Sequence, residues 1–203
     1  MTSNWLRPCL MAAALALGVS ARADVAVTLE TCAACHGKDG ASATPEVPII
    51  GGYSATYLTE SLTNYKNKAR PCPKATYNSG PLKGQSGDMC TVAAALADAD
   101  IAAVADALSK KPFVRAKQTA DAAKAAHGKQ IHDANCTKCH TEGGSSADDD
   151  AGILAGQWMQ YIHHTFEEFK SGQRPLPKKM KPKFDVLSPD DLDALANYYG
   201  SVK

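Results

Sequence analysis

The chain has 203 residues with 22 Lys+Arg against 21 Asp+Glu, a formal net charge of +1, and 21% charged residues. That length suits one or two ordinary globular domains, and the near-balance of charge excludes the broad basic field on which nucleic-acid binding rests. Seven cysteines are unusual at this length, because free thiols are rare unless a compartment, a metal or a cofactor uses them.

Residues 1–23 have the pattern of an export signal. Arg7 supplies the positive start, Leu10 to Val19 the apolar stretch, and Ala21-Arg22-Ala23 the small-x-small cleavage site, which predicts a mature chain beginning at Asp24 in the periplasm. The apolar stretch is shorter than the roughly 20 residues a membrane span needs, and no later segment is long and apolar enough. Cys9 leaves with the signal, so six cysteines remain in an oxidising setting.

The rest of the chain reads as a duplication. Cys32-Ala33-Ala34-Cys35-His36 and Cys136-Thr137-Lys138-Cys139-His140 are two C-x-x-C-H motifs offset by 104 residues. Without a gap the same offset pairs Ile49 with Ile153, Gly52 with Gly156, Tyr57 with Tyr161, Tyr65 with Phe169, Arg70 with Arg174 and Pro71 with Pro175. Beyond Pro71 the offset falls to 91, pairing Met89 with Met180 and Val104 with Leu195, so the first copy carries a 13-residue insertion. This divides the chain into a signal (1–23), a first domain (24–111), a linker (112–118) that contains Pro112, and a second domain (119–203).

Both copies read as helical, and no alternating strand pattern emerges, so the predicted class is all-α. Tyr57, Leu58, Leu62 and Tyr65, like Tyr161, Ile162, Phe166 and Phe169, follow a helical period. An Ala-rich run over Thr119 to Asn135 leads into the second motif. The last helix has a start signal in Ser188, Pro189, Asp190 and Asp191 ahead of Leu192, Leu195 and Tyr199, with a counterpart over Asp98 to Leu108. Such small units have thin cores and depend on a cofactor or cross-links for stability.

C-x-x-C-H is the attachment signature of c-type haem: two thiols add to the haem vinyl groups while the adjacent histidine reaches the iron. A redox-active C-x-x-C or a zinc pair would need a thioredoxin-like strand–helix alternation or further ligands at zinc spacing, and neither is present. Cys32, Cys35, Cys136 and Cys139 are therefore the expected attachment points of two covalently bound haem c groups, with His36 and His140 as proximal ligands. For the distal position an electron carrier needs a sixth ligand, and thioether sulfur raises the potential. Met89 and Met180, paired by the repeat, are the candidates for haem one and haem two. Met159 has no methionine partner and reads as a core gap-filler. His163 and His164 are weaker competitors for the iron, and His127 and His132 read as helix-surface residues. Cys72 and Cys90 flank the insertion, and a disulfide between them would close a loop of about 19 residues worth about 3 kcal/mol. The alternative makes Cys90 a haem ligand or reactive thiol. Lys178, Lys179, Lys181 and Lys183 surround Met180, and Lys66, Lys68, Arg70, Lys74 and Lys83 occupy the comparable stretch of the first copy; such a rim would steer an acidic partner unless it is simply a solvated loop. Asp148 to Asp150 reads as an exposed acidic turn, without an EF-hand pattern.

With these residues in place the mature chain resembles a dihaem class I cytochrome c, two tandem helical domains each with C-x-x-C-H near its start and a methionine near its end. In the second half KCHTEGG, ILAGQW and RPLPKKM resemble the cytochrome subunit of flavocytochrome c sulfide dehydrogenase. That resemblance implies two haem domains related by an approximate twofold, with the haems close together at their interface. It also implies a flavoprotein partner that oxidises sulfide and hands over the electrons; the chain has no flavin fingerprint of its own. It further implies His36 and Met89 on the first iron, and His140 and Met180 on the second. The Cys72/Cys90 insertion departs from that pattern. So does the absence of proline between His140 and Pro175: Pro45 or Pro48 offers the carbonyl that orients His36, but a backbone carbonyl near Gly152 must serve His140. Two other functions remain: a free-standing dihaem shuttle to a terminal oxidase, and a thiosulfate-oxidising dihaem enzyme.

Overall fold

The computed structural model describes residues 24–203; the export signal and its cleavage after Ala23 lie outside the described residues. Among the described residues eight α-helices carry the fold: α1 (Val25–His36), α2 (Ala55–Lys66), α3 (Met89–Ala94), α4 (Asp98–Ser109), α5 (Ala122–Asn135), α6 (Met159–Lys170), α7 (Lys181–Phe184) and α8 (Pro189–Ser201). One element departs from the all-helical expectation: β1 (Ala75–Thr76) and β2 (Ser86–Gly87) pair antiparallel inside the insertion. Two residues per strand are too few for an alternation to register in the sequence.

Helix starts follow local chemistry. Side chains of Asp24, Ser54, Asp88, Asp121 and Ser188 each accept from a backbone N–H that the helix itself leaves unpaired. At α8 the exchange is reciprocal, since Asp191 also accepts from the Ser188 N–H at 2.9 Å. The apolar stripes then bury. The second domain packs Ile131, Ile162, Phe166, Phe184, Leu192, Leu195 and Tyr199 together. In the first domain Tyr53, Leu58, Val104 and Leu108 form the core, joined by Ile153 from the second. Helices α5 and α8 cross so closely that a methyl group on Gly128 would overlap the Ala194 carbonyl.

The domains meet across an approximate twofold. Gln157, fully buried, accepts from the Ile49 N–H (3.0 Å) and donates to the Ile49 carbonyl (2.9 Å) and the Tyr53 hydroxyl (2.7 Å). Its repeat counterpart Tyr53 donates to the carbonyl of Ile153, the counterpart of Ile49, at 3.1 Å. Trp158 adds an indole N–H bond to the Ser42 carbonyl at 2.9 Å. The connecting segment between α4 and α5 lies along this seam: Ala116 donates its N–H to the Gly156 carbonyl at 2.7 Å, and Gln118 bridges the Gln157 carbonyl and the Met159 N–H.

Candidate haem sites

The first motif occupies the last turn of α1. His36 is 7% exposed, and its Nδ1 lies 2.9 Å from the Pro48 carbonyl. As donor to that carbonyl, Nδ1 leaves the Nε2 lone pair for a metal. Burial lowers the pKa of the ring, which favours the neutral form that ligation needs. Cys32 and Cys35 are free thiols; burial pushes Cys32 up to about 11 and raises Cys35. Both therefore stay S–H, the form that adds across a vinyl double bond. A cavity of about 370 Å³ opens beside Cys32, against Leu29, Ile50 and Leu108.

Met89 is the first residue of α3 and packs against Leu62, Leu96 and Ile101. Asp88 before it accepts from the Thr91 N–H at 2.8 Å and pairs with Lys74 at 2.6 Å. Lys74, with the Thr91 bonds, pulls the Asp88 carboxyl down to about 2. Cys72 and Cys90 are joined in a disulfide with Cα atoms 5.8 Å apart, so Cys90 has no free thiol to offer iron. The segment they close folds back on the motif: Cys35 Sγ donates to the Thr76 carbonyl at 3.8 Å and the Asn78 N–H to the Ala34 carbonyl at 2.7 Å. Replacing Cys72 and Cys90 by serine is expected to lower stability by about 3 kcal/mol, measured as a reduced denaturation midpoint; an unchanged midpoint would show that the β1–β2 pairing alone holds this segment.

In the second domain the helix stops earlier. α5 ends at Asn135, and Cys136 to Cys139 form turns in which the His140 N–H donates to the Cys136 carbonyl at 2.9 Å. Cys139 is exposed and Cys136 half-buried. Burial raises the Cys136 thiol, while the Tyr199 hydroxyl and the charge of Lys183 pull it down. Burial also lowers the pKa of His140. Among the described residues the His140 ring makes no hydrogen bond, so the carbonyl expected near Gly152 does not orient it. Tyr57 of the first domain is packed where a Gly152 side chain would stand. Thr141, the residue after His140, is fixed instead by a supposed surface acid: Asp149 accepts from the Thr141 N–H (2.6 Å) and hydroxyl (2.8 Å). Met180 lies in the turn that opens α7, its N–H bonded to the Pro177 carbonyl at 2.9 Å, against the second core.

His132 overturns the surface reading. It is 1% exposed, its Nδ1 is 3.0 Å from the Tyr199 hydroxyl, and its Nε2 is buried with no partner among the described residues. Its place on α5 faces α8, and the helical period of the apolar residues around it was the available signal. His127 does lie outside, 3.2 Å from Asp191. His163 and His164 sit beside Asp193 and Glu167 rather than with either motif, and Met159 fills space against Gly200.

Two repeat-related arginines complete the setting. Arg70 lies over the Tyr65 ring at 4.3 Å and Arg174 over Phe169 at 4.8 Å. Arg70 Nε and Arg174 Nη1 are buried without a hydrogen-bond partner among the described residues, and the Glu168 carboxylate stands 3.8 Å from Arg174 Nη1. Burial works to raise the Tyr161 pKa, but Arg70 and Arg174 outweigh it and pull the phenol down to about 8. Paired free thiols, a neutral imidazole with Nε2 open and buried guanidinium nitrogens with donor capacity to spare are a donor set that fits a covalently held porphyrin with its carboxylates.

Comparison with known proteins agrees with this chemistry. The family model described as Cytochrome c matches residues 23–109, and the one described as Cytochrome C oxidase, cbb3-type, subunit III matches residues 123–198. Cytochrome c-554(548) of Halomonas halodenitrificans is 38% identical over 76 residues, 37% of this chain and 77% of that protein. The thiosulfate dehydrogenase electron acceptor of Stutzerimonas stutzeri is 27% identical over 185 residues, covering 84% of this chain and 78% of that one. The solved structure of Acidithiobacillus ferrooxidans cytochrome c4 superposes with a TM-score of 0.68 at 28% identity, over 85% of this chain and 99% of that chain.

Proposed function

The chain belongs to the cytochrome c family and carries two covalently bound haem c groups, one in each of two cytochrome c domains, and from this we propose that it is an exported, periplasmic dihaem carrier which takes electrons from a sulfur-oxidising enzyme and passes them to a soluble or oxidase-bound acceptor. The observation that carries the proposal is the buried Gln157–Ile49–Tyr53 seam, which fixes the two haem-binding motifs in one unit. Haem iron supplies the reversible one-electron step; the polypeptide supplies ligation, burial and a fixed distance between the groups. In this reading Cys32, Cys35, Cys136 and Cys139 hold the two haems, His36 and Met89 ligate the first iron, and His140 and Met180 the second. The likeness to a thiosulfate dehydrogenase electron acceptor supports a sulfur-oxidising donor.

A second reading makes the chain the cytochrome subunit of a sulfide-oxidising flavoprotein. What favours it is the ILAGQW and RPLPKKM segments, the first of which contains the seam residue Gln157. One experiment separates the two. The mature holoprotein is captured from periplasmic extract, and its haems are followed by absorbance on adding thiosulfate or sulfide. The carrier reading expects an unaccompanied dihaem protein with methionine-ligand spectra at both irons, reduced only when a donor enzyme is added. Stoichiometric flavin with direct sulfide reduction would replace it by the subunit reading. Reduction by thiosulfate without any other protein would overturn both and make the chain an enzyme.

A further inference from the structure

The two methionine-bearing loops are held in different ways. In the second domain residues 171–179 lead from α6 to Met180, and the core pins that loop on both sides: Leu176, Met180 and Leu187 pack against it, Phe184 is buried within it, and Lys170 donates to the Leu187 carbonyl at 2.8 Å. In the first domain residues 67–88 lead from α2 to Met89. Between Cys72 and Cys90 only Tyr77 is buried, and residues 78–86 are all exposed.

Apart from one covalent link, little closes this first loop. β1 and β2 pair two residues each, the Tyr77 ring rests on Gly87, and Lys74 reaches Asp88. α3, with Met89 at its first position, has six residues, too few to be stable by its own backbone bonds. Cys90 is the residue after Met89, and its bond to Cys72 ties the start of α3 to the chain just beyond the buried Arg70. The closed segment also touches the first haem-binding motif through the Thr76 and Asn78 contacts. The second copy has no such link, since residues 171–203 contain no cysteine.

We propose that the Cys72–Cys90 disulfide is a redox-sensitive clamp on Met89: closed, it keeps the thioether at the first iron; opened by a dithiol, it lets Met89 leave and bares the first haem, and not the second, to an external ligand. This rests on the ligation reading above, His36 and Met89 on the first iron, and adds to it the control of the sixth position. Opening is a thiol–disulfide exchange. A thiolate of the dithiol attacks one sulfur, the Cys72–Cys90 bond breaks as a mixed disulfide forms, and the second thiol displaces that bond; two electrons and two protons pass to Cys72 and Cys90, and the dithiol becomes a disulfide. Both cysteines are half-buried, within reach of a small dithiol. With the crosslink gone the segment regains conformations the closed loop forbids, and the local opening that parts Met89 from iron no longer needs the core to open with it.

The test follows carbon monoxide uptake by the holoprotein, its haems reduced at an electrode so that the disulfide is left intact, before and after dithiothreitol, with free thiols counted. A methionine-ligated iron excludes carbon monoxide. The native protein is expected to take it up at one haem about tenfold faster once the two thiols appear, and C72S/C90S to do so without dithiothreitol, with helical circular dichroism unchanged in both. M89A marks the first site by binding one equivalent from the start. If M89A excludes carbon monoxide, the ligation reading fails whatever the disulfide does. If M89A binds it but neither dithiothreitol nor C72S/C90S changes the uptake, the clamp alone fails. Uptake at both haems, or a disulfide that stays closed in excess dithiothreitol, also overturns the clamp; where C72S/C90S does not assemble, the reduced native protein decides.

Discussion

Replacing Gln157 by alanine is expected to split the single unfolding transition of the holoprotein into two. Among the described residues the side chain amide alone satisfies both the N–H and the carbonyl of Ile49 across the seam, and being fully buried it has no contact with solvent. Its removal leaves those groups and the Tyr53 hydroxyl short of partners in a closed interface. A buried donor or acceptor left unpaired costs about 1–3 kcal/mol, so the combined loss is about 3 kcal/mol or more and falls on the contact between domains. Calorimetry checks this: two transitions, the domain cores retained, is the expected record. A single transition at the native midpoint would mean that Trp158–Ser42 and the linker bonds hold the halves without Gln157.

Gly128→Ala is expected to destabilise the second domain selectively, by about 2–3 kcal/mol. The added methyl would meet the Ala194 backbone, which cannot move without parting α5 from α8. These two helices set the position of the second motif, because Cys136 follows α5 directly and its neighbour Tyr199 stands on α8. Haem loading at the second site should therefore fall while the first stays loaded, read as the ratio of haem to protein. Full loading with an unchanged melting temperature would show that the crossing tolerates a wider separation.

Much of this was legible in the sequence because it is periodic or covalent. The 104-residue offset carried the duplication, and the same offset relates Arg70 to Arg174 and Tyr53 to Gln157, the last two meeting across the seam in a contact the pattern itself did not reveal. Ser188, Pro189 and Asp191 announced α8 because a cap is a local hydrogen-bond problem solved by local residues. What escaped was set by tertiary contact. His132 is polar, so a count of apolar positions left it outside, yet the Tyr199 hydroxyl gives it a hydrogen-bond partner within the core. The cations of the first copy looked equivalent to those of the second until Asp98 and Asp88, from other parts of the fold, engaged two of them. The strands of the insertion and the helix α3 were too short to show a period.

The segment from Lys110 to Asp121, which runs without helix or strand between α4 and α5, is also a tether. About 12 residues reach at most about 40 Å when fully extended. At that leash length one domain sees the other at an effective concentration in the millimolar range. Exchange of an electron between the two haems is thus a first-order event, indifferent to how dilute the protein becomes. A lapse in the Gln157 seam delays that exchange until the halves re-dock; it does not send either domain away to search for a new companion.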